Sequence, residues 1–526
     1  MNQNQRREII TKSASPNVTA TVALKVEISR TRRYWIIGAT LLALFLGALD
    51  ALVMSAAMPT IVSDLGGVNL YSWVFSAYLL TRAVSLPLFG KLADLFSNKI
   101  LYGVAIGTFI LGSLFAGLSQ TMTQLILSRA LQGIGAGGNF ALVYIVLADI
   151  SSPGKRGKTM SMASFIWGLA SISGPTIGGF IVTYFSWRWI FFFNVPLGGL
   201  SLMGIFLYLV ETRAKRKQVH IDYYGIFALS GAILSLLMAC LLAGRGYPWT
   251  SPRVLGLLAA CAGFSLALWW AEKQACEPIL ALDFFKIRGF SIGNGTVFFA
   301  SFAIYALFAF SPLFIQGVLG KTPMQLGLVM LAISFGWSVG ALFCGQVVHL
   351  LRKKPFALTG ALLMVAGCAL TVRFSAATSL LECAVVLGII GLGMGFVSIP
   401  TLLIVQDSLE LADLGVATAS HQFARTLGGT VGIGIAGSFV TAKLASNMDA
   451  LLASGILEKI PPALKARLQH DLENLFRPEV QALIPPEIKP VLMDAMLQGI
   501  ARVFWVALAV SVIMFLLCWL LPRKKR

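Results

Sequence analysis

The sequence predicts an all-α polytopic membrane protein in which fourteen helices cross the bilayer. Of its 526 residues, 57% are hydrophobic and 12% are charged. Soluble domains carry about 25% charged residues, so this chain has too little polar surface to fold in water. Apolar runs near the ~20 residues that span a bilayer recur fourteen times. Basic residues concentrate in the short segments between these runs, as they do in cytoplasmic loops of membrane proteins.

The apolar runs follow one another with short polar connections. We assign one transmembrane helix to each run, because a spanning helix needs about 20 mainly apolar residues. The predicted spans are 34–58, 70–93, 99–119, 123–150, 157–183, 187–210, 222–243, 252–271, 289–318, 323–350, 355–375, 378–406, 412–441 and 499–521.

The distribution of basic residues predicts the orientation of these helices. If every run spans once, the basic segments all fall on one side, which the positive-inside rule makes cytoplasmic. These segments contain Arg30, Arg32 and Arg33; Lys155, Arg156 and Lys158; residues 213–217; Lys286 and Arg288; residues 352–354; and residues 523–526. We therefore expect a multi-pass protein of the bacterial inner membrane with both termini in the cytoplasm.

The net charge of +19 has the same explanation, since these loops face anionic lipid. We expect membrane lipids, and no nucleic acid, among the partners. The first 30 residues are polar and basic without a small-residue cleavage site, so the first helix should act as an uncleaved signal. The seven cysteines show no CxxC or Cys/His ligand spacing, and we expect neither a metal nor a cofactor.

Two features repeat along the chain at a nearly constant offset. Gly90 to Lys99 resembles Gly345 to Lys354, and the glycines at 133, 135 and 137 return at 391, 393 and 395. Chance is the alternative, because glycine is common in membrane helices. The repeat predicts a cytoplasmic segment (1–33), a six-helix bundle (34–210), a linker with two extra helices (211–288) and a second six-helix bundle (289–526). Parallel repeats of this kind are a recognised transporter architecture.

One stretch interrupts this pattern. Residues 442–498 are polar and rich in proline, and they should lie on the extracytoplasmic side. Within them, Leu464, Leu468, Leu472 and Phe476 recur every four residues, which predicts an amphipathic helix resting on the membrane or the outer mouth. A mobile linker is the alternative.

Five short motifs occur in order along the predicted helices. They are LDALVMSAAMP at 49–59, GKLAD at 90–94, Leu125 with Arg129, Gln132 and Gly133, GPTIGG at 174–179, and WRWIFFFNVPLG at 187–198. Together they resemble the major facilitator superfamily, and specifically its fourteen-spanner drug:proton antiporter branch. The resemblance covers residues 34–440 and the last span. It implies the major facilitator fold, two six-helix bundles plus two inserted helices.

The sequence departs from this family at two places. The loop motif normally continues with Gly-Arg, whereas Ser97 and Asn98 stand here, which puts the basic part of the family's gating contact in doubt. Arg82 occupies a position where a small residue is expected. Because it lies near mid-bilayer, we expect it to face the cavity or a polar partner rather than lipid, where it could bind an anionic substrate group.

Candidate proton-coupling residues are Asp50, Arg129 and His421. At 1.5 Å per residue, Asp50 and Arg129 reach similar depths from the outer edge, and helices 1 and 4 both line the cavity of the resembled fold. An ion pair is therefore allowed, which would keep Asp50 ionised against its desolvation. A fixed structural pair is the alternative. His421 lies one turn before Arg425, and a structural role is favoured for it.

The remaining candidates concern the cavity and its gate. Arg129, Gln132 and Asn139 share one face of helix 4, so we place Asp50, Arg82, Gln132, Asn139 and Tyr305 at the substrate cavity. Gly174-Pro175 should interrupt helix 5. The resemblance implies that this site, with Gly178 and Gly179, closes the cavity; a harmless kink is the alternative. Asp94 should accept hydrogen bonds from a helix N-terminus of the other half, unless it is a solvated loop charge.

Residues 152–159 approach a phosphate-binding loop but lack its first glycine and a preceding strand, so ATP is excluded as the driver. The sequence thus predicts a monomeric, proton-coupled exporter of drugs or other small amphipathic compounds. Export of a lipid or an endogenous metabolite by the same mechanism is the alternative. A membrane-embedded enzyme or sensor is disfavoured, because no HExxH, nucleophile elbow or paired catalytic carboxylates occur.

The orientation is testable with reporter fusions at residues 215 and 470. The alternation of basic loops places position 215 in the cytoplasm and position 470 outside it. Alkaline phosphatase should therefore be active only at 470, and a cytoplasmic fluorescent reporter only at 215. A cytoplasmic signal at 470 would contradict the fourteen-span topology.

Overall fold

The computed structural model describes residues 29–66, 70–151, 155–211, 222–244, 247–275, 282–348, 352–453 and 489–522. We number the long helices α1 to α14. They are Arg30–Leu65, Tyr71–Leu95, Asn98–Leu118, Met122–Asp149, Arg156–Tyr184, Trp189–Tyr208, Tyr223–Gly244, Pro252–Gln274, Arg288–Pro312, Pro323–Val347, Lys353–Thr371, Leu380–Gln406, Leu414–Ala453 and Lys489–Leu520. All fourteen are long and apolar enough to cross a membrane, which confirms the all-α, fourteen-helix prediction. The multi-pass chain therefore has α1 beginning, and α14 ending, at the same membrane face.

Helix ends differ from the predicted spans where a helix continues beyond the bilayer. Helix α1 runs to Leu65 instead of ending near residue 58, and α13 runs to Ala453 instead of 441. Helix α14 begins at Lys489, ten residues before its predicted start. Hydropathy indicates which residues lie in the bilayer, but it does not indicate where the backbone hydrogen bonds of a helix end. Helical turns outside the bilayer are therefore not predicted from hydropathy. Both ends of the 442–498 stretch are thus helical, while its predicted Leu464–Phe476 stripe and the basic residues 213–217 lie outside the described residues.

Proline does not divide α5. The helix is continuous from Arg156 to Tyr184, so the interruption predicted at Gly174-Pro175 is wrong at the level of secondary structure. Proline removes one backbone donor, and a membrane helix tolerates that loss when its neighbours support it. Other helices also continue through a proline, among them α1 at Pro59, α2 at Pro87 and α12 at Pro400. Pro312 is the last α-helical residue of α9, and after it the winding changes to a π-helical segment at Leu313–Val318.

The helices pack in two groups with a pair beside them. In the first group α2 and α3 pack on α4, and α5 and α6 pack on α1. In the second group α10 and α11 pack on α12, while α13 and α14 pack on α9. Helices α7 and α8 pack on each other, and α7 contacts both α2 and α13. The two groups meet where α5 packs on α10 and α2 packs on α13.

Glycines set the closeness of several of these contacts. A Cβ atom added at Gly133 would lie 2.1 Å from Thr81 Oγ1, and one at Gly137 would lie 2.4 Å from the Arg82 carbonyl oxygen. The repeated glycine at 391 approaches α10 equally closely, since its added Cβ would lie 2.1 Å from the Ile333 carbonyl oxygen. These glycines of α4 and α12 therefore act in packing, because they let the helices approach closely.

The two groups are in close contact at the face where α1 begins, which we call the N face. A Cβ at Gly90 would lie 2.1 Å from Ala419 Cβ, and one at Gly345 would lie 2.5 Å from the Gly157 carbonyl oxygen. Deeper in the membrane, Ser338 Oγ donates a 3.2 Å hydrogen bond to the Ser164 carbonyl. Because these contacts join the groups near the N face, the interface is closed there.

The packing of α12 on α10 gives a stability prediction with an internal control. Gly391→Ala should lower the melting temperature of the purified protein in detergent, because the new methyl group overlaps the Ile333 carbonyl and overpacking costs about 1–3 kcal/mol. Gly388→Ala, one turn away, should be tolerated, since the nearest atom to its Cβ is 3.7 Å away. Equal melting temperatures for the two variants would contradict this view of the interface.

Candidate functional site

A buried polar cluster joins α1 and α4. Asp50 Oδ2 accepts a 2.7 Å ion-pair hydrogen bond from Arg129 Nη1, and Asp50 Oδ1 accepts a 2.8 Å bond from Gln132 Nε2. The side chains of Asp50 and Arg129 are 0% and 1% exposed. The ion pair that the helix depths allow is therefore formed and is sealed from solvent. Since Gln132 lies one turn after Arg129, its Oε1 also accepts from Arg129 Nη1 at 2.6 Å.

Helices α3 and α6 complete this cluster. Asn194 Nδ2 donates to Asp50 Oδ1 at 3.0 Å and to Ser113 Oγ at 2.9 Å. The Ser113 hydroxyl in turn donates to the Phe191 carbonyl at 2.9 Å. On the α2 side, the guanidinium carbon of Arg129 lies 4.1 Å from the centre of the Tyr78 ring. Five helices thus converge on one carboxylate.

This cluster satisfies the charge of one buried carboxylate. The Asp50 carboxylate is stabilised in its charged form by one cation and by two amide donors. Both charged partners are therefore satisfied within the cluster.

A cavity of about 120 Å³ lies between the two helix groups. The α5 side chains Ser164 and Trp167 form one wall, and the α10 side chains Ser334 and Trp337 form the opposite wall. Tyr305 of α9 lines it as well, where its ring packs edge-on against Trp337 at 6.3 Å. Arg425 of α13 contributes a charged side chain to this largely aromatic lining. The cavity is therefore lined by side chains from both helix groups.

Arg82 is buried beside this cavity, with 9% of the residue exposed. Its guanidinium carbon lies 4.6 Å from the centre of the Phe140 ring and 5.6 Å from that of Trp167. The side chain faces the interior of the protein and not lipid. Its position agrees with the expectation from the cost of an arginine in mid-bilayer.

The other predicted cavity residues of α4 are engaged elsewhere. Gln132 is fully buried in the Asp50 cluster. Asn139 Nδ2 donates a 2.6 Å hydrogen bond to the Ala43 carbonyl, which ties α4 to α1. These two side chains point to α1 because the polar face of α4 meets that helix. Of the predicted cavity residues, Tyr305 is the one in the cavity wall.

His421 lies in a different environment from Asp50. Its Nε2 is 3.0 Å from Thr401 Oγ1 of α12, and it is 1% exposed. The contacts of Asp50, by contrast, come from α4 and α6. The two candidate proton-coupling residues therefore belong to separate helix groups.

Asp94 ties the two groups together at the N face. Its Oδ1 accepts a 2.8 Å hydrogen bond from the Gly415 amide, and its Oδ2 accepts a 2.9 Å bond from the Val416 amide. These amides belong to the first turn of α13, whose free donors and dipole favour a carboxylate. Asp94 is thus a helix cap supplied by the opposite group, in the geometry that the sequence predicts.

Further charges lie at the same face. Asp407 at the end of α12 pairs with Lys353 of α11, and Arg156 of α5 approaches it to 4.0 Å from the other group. Where the family motif has Gly-Arg, Asn98 Nδ2 lies 3.4 Å from Asp149 Oδ2, and Ser97 Oγ donates to Glu211 Oε1 at 2.6 Å. Neutral side chains that donate to carboxylates thus occupy this part of the loop.

The glycine motif of α5 lies against α1. A Cβ added at Gly174 would be 2.8 Å from Leu52 Cβ, so this glycine allows close packing two residues from Asp50. Gly179 has open space around it, and Gly178 is buried in the same helix. The motif therefore contacts the helix that carries the carboxylate.

Three participants escaped the sequence reasoning. Asn194 is a polar residue within the WRWIFFFNVPLG motif, and a lone amide in an otherwise apolar segment is the signal that could have identified it. Ser113 and Tyr78 gave no signal, because one hydroxyl in an apolar helix is common. Their roles depend on contacts between helices, which periodicity along one helix does not reveal.

The fold agrees with comparisons to known proteins. The model of the Major Facilitator Superfamily matches residues 40–433, so this chain belongs to that family of transporters. The membership confirms the resemblance drawn from the five motifs.

Two relatives and one structure place it more closely. The multidrug transporter protein MdtP of Bacillus subtilis is 34% identical and covers 92% of each chain. Multidrug resistance protein 3 of the same organism is 31% identical and covers 89% of this chain and 91% of its own. The proton:xylose symporter XylE has a similar fold, with a TM-score of 0.59 at 15% identity, over 94% of this chain and 97% of its own.

The Asp94 cap gives a test of the closed N face. Asp94→Asn should weaken the two bonds to α13, since a bond to a charged group contributes about 1.5–3 kcal/mol. A cysteine at Ser161, which is buried against Gly345, should then react about tenfold faster with a maleimide in a cysteine-free background. Asp64→Asn, which removes a carboxylate at the opposite face, is the control. Equal rates in the two variants would show that the cap does not hold this face closed.

Proposed function

We propose that this protein is a proton-coupled antiporter that exports small amphipathic compounds across the bacterial inner membrane. The observation that carries the proposal is the sealed Asp50–Arg129 pair, which lies two residues before a wall residue of the central cavity, Leu52. The names of the two Bacillus relatives, both multidrug proteins, support export as the direction. The partners are then the substrate, protons and membrane lipids, and the functional unit is a monomer.

Coupling follows from the chemistry of the cluster. With Asp50 ionised, its bonds to α4 and α6 hold α1 in the arrangement described above. A proton on Asp50 removes the ion pair, and Arg129 then retains the Gln132 Oε1 acceptor. Protonation and the closed pair therefore exclude each other. If substrate binding stabilises the closed pair, proton and substrate are carried on opposite strokes, which is antiport.

Alternating access requires one face to open as the other closes. The Asp94 cap and the glycine contacts of α2 and α5 close the N face, which we assign to the cytoplasm together with both termini. Because Gly174 of α5 packs against Leu52 of α1, two residues from the carboxylate, a change in the pair is transmitted to α5 and so to its contact with α10. Gly178 and Gly179 leave the outer half of α5 free to adjust.

The test is Asp50→Asn in purified protein reconstituted into liposomes. A compound exported by the unmodified protein, chosen from a susceptibility panel in a strain without its own exporters, should no longer be driven by a pH gradient in the variant. Binding of that compound should persist. Full gradient-driven transport by Asp50→Asn would exclude this residue and move the search to His421 or Asp407.

The variant leaves Arg129 buried without its partner, which costs about 3–5 kcal/mol and can prevent folding. The double variant Asp50→Asn/Arg129→Gln removes both charges and should fold. It should also bind substrate without releasing a proton to a pH indicator, whereas the unmodified protein releases one. Proton release by the double variant would contradict the coupling role of the pair.

A further inference from the structure

Two arginines from different helix groups meet at one aromatic ring. The guanidinium carbon of Arg82 lies 4.6 Å from the centre of the Phe140 ring, and that of Arg425 lies 5.1 Å from it. Arg82 belongs to α2 and Arg425 to α13, so the pair spans the interface between the groups. Because both lie over one ring, the two guanidinium carbons are within about 10 Å of each other.

Both arginines are about nine-tenths buried in the membrane interior. Arg82 is 9% exposed and Arg425 is 8% exposed. Within the part of the chain that the structure describes, neither forms an ion pair with a carboxylate. Both contact the faces of aromatic rings, which for Arg425 include Trp337 at 5.8 Å, and Arg82 also lies within hydrogen-bonding reach of the Tyr78 hydroxyl. An aromatic face stabilises a cation but does not cancel its charge.

The nearest buried carboxylate is already neutralised. Asp50 forms an ion pair with Arg129, and the opposite charges of these two residues cancel. His421, one turn before Arg425, is the other titratable side chain of that stretch of α13, and it can add positive charge but not negative charge. Tyr78 lies one turn before Arg82 on α2, and its ring faces Arg129. The centre of the protein therefore carries a formal charge of about +2.

Unused hydrogen-bond donors surround this charge. Arg82 Nε and Trp167 Nε1 are both buried without an acceptor in the described part of the chain. Trp167 lines the cavity, as do Arg425 and the hydroxyl-bearing Ser164 and Ser334. Leaving such donors unpaired costs free energy, and that cost disappears when an acceptor binds. The site thus supplies donors and positive charge, which an anion complements.

We infer that the central cavity binds the acidic group of an amphipathic anion between Arg82 and Arg425. The acidic group is a carboxylate or a sulfonate, which a planar guanidinium binds through paired hydrogen bonds. The aromatic or alicyclic body of the ligand packs on Trp167, Trp337 and Tyr305. This inference rests on the proposed function, because it names the class of compound that the exporter carries.

The geometry also explains why the ligand contacts both helix groups. Phe140 and Arg82 are on the first group, whereas Arg425 and Trp337 are on the second. An anion between the arginines reduces the repulsion that two like charges impose on the interface. Binding therefore favours approach of the groups around the ligand.

The experiment compares two fluorescent probes with the same ring and opposite charge. Purified protein is titrated with 1-pyrenebutyrate and with 1-pyrenemethylammonium, and quenching of tryptophan fluorescence reports binding. We expect the anion to bind at least tenfold more tightly than the cation. Equal affinity for the two probes, or preference for the cation, would overturn the inference, and the unmodified protein is sufficient for this measurement.

Variants then assign the preference to the two arginines. Arg82→Gln and Arg425→Gln should each weaken binding of the anion about tenfold and leave the cation unchanged or bound more tightly. Arg425→Lys keeps the charge and should retain part of the preference, which guards against a folding defect in the Gln variants. Removing an unpaired buried charge should not lower the melting temperature. Equal loss for both probes would mean that the arginines support the fold and not the ligand.

Arg253→Gln is the matched control. Arg253 also lies over an aromatic ring, at 5.4 Å from the centre of Tyr247, but at the start of α8 and away from the cavity lining. Its replacement should change neither affinity. Binding of the probes is measured at equilibrium without a pH gradient. If the liposome experiments showed no proton coupling, the proposed function would be refuted, but the measured preference for the anion would still hold. Anion preference that persists in the Arg82→Gln/Arg425→Gln double variant would refute the site itself.

Discussion

An ionised side chain inside the hydrocarbon core must be paired with another group or face a polar cavity, because lipid offers it nothing. The described structure meets this requirement in two different ways. Asp50 and Arg129 satisfy each other, with amides from α4 and α6 taking the remaining lone pairs. Arg82 and Arg425 are instead held on aromatic faces next to a cavity. The first solution cancels the charge within the protein and the second does not, and on this difference rest the separate roles that we propose for the two sites in coupling and in binding.

The two sites are physically close although they do different things. Tyr78 stacks on Arg129 and precedes Arg82 by one turn of α2, and Phe140 follows Asn139, the residue that ties α4 to α1. A shift of α1 relative to α4 therefore changes the surroundings of Arg82 without any direct contact between the ion pair and the ligand. The glycines of α4 keep α2 near enough for such shifts to be transmitted.

The sequence predicts most of the fold, because hydropathy and basic loops measure the bilayer directly. The prediction from sequence fails where a feature of the fold depends on something other than the bilayer. Helices α1 and α13 continue beyond their apolar runs, and α5 continues through Pro175. At the site, depth along a helix is enough to bring Asp50 level with Arg129. It does not reveal that Asn194 joins them or that Arg425 shares a ring with Arg82, since such contacts depend on helix rotation.

A pair of fixed positive charges at the middle of the membrane has an electrical consequence. When access to the cavity changes from one face to the other, the transmembrane voltage falls across a different part of the protein, and the arginines cross a fraction of it. A charge that crosses the whole field gains or loses about 2.3 kcal/mol per 100 mV. Under the proposed antiport, the returning carrier holds a proton on Asp50, which leaves Arg129 charged beside Arg82 and Arg425, so it moves about three charges; the carrier loaded with a monoanion moves about one. Voltage therefore acts most strongly on the return of the unloaded protein, and the resting potential sets the pace of that step.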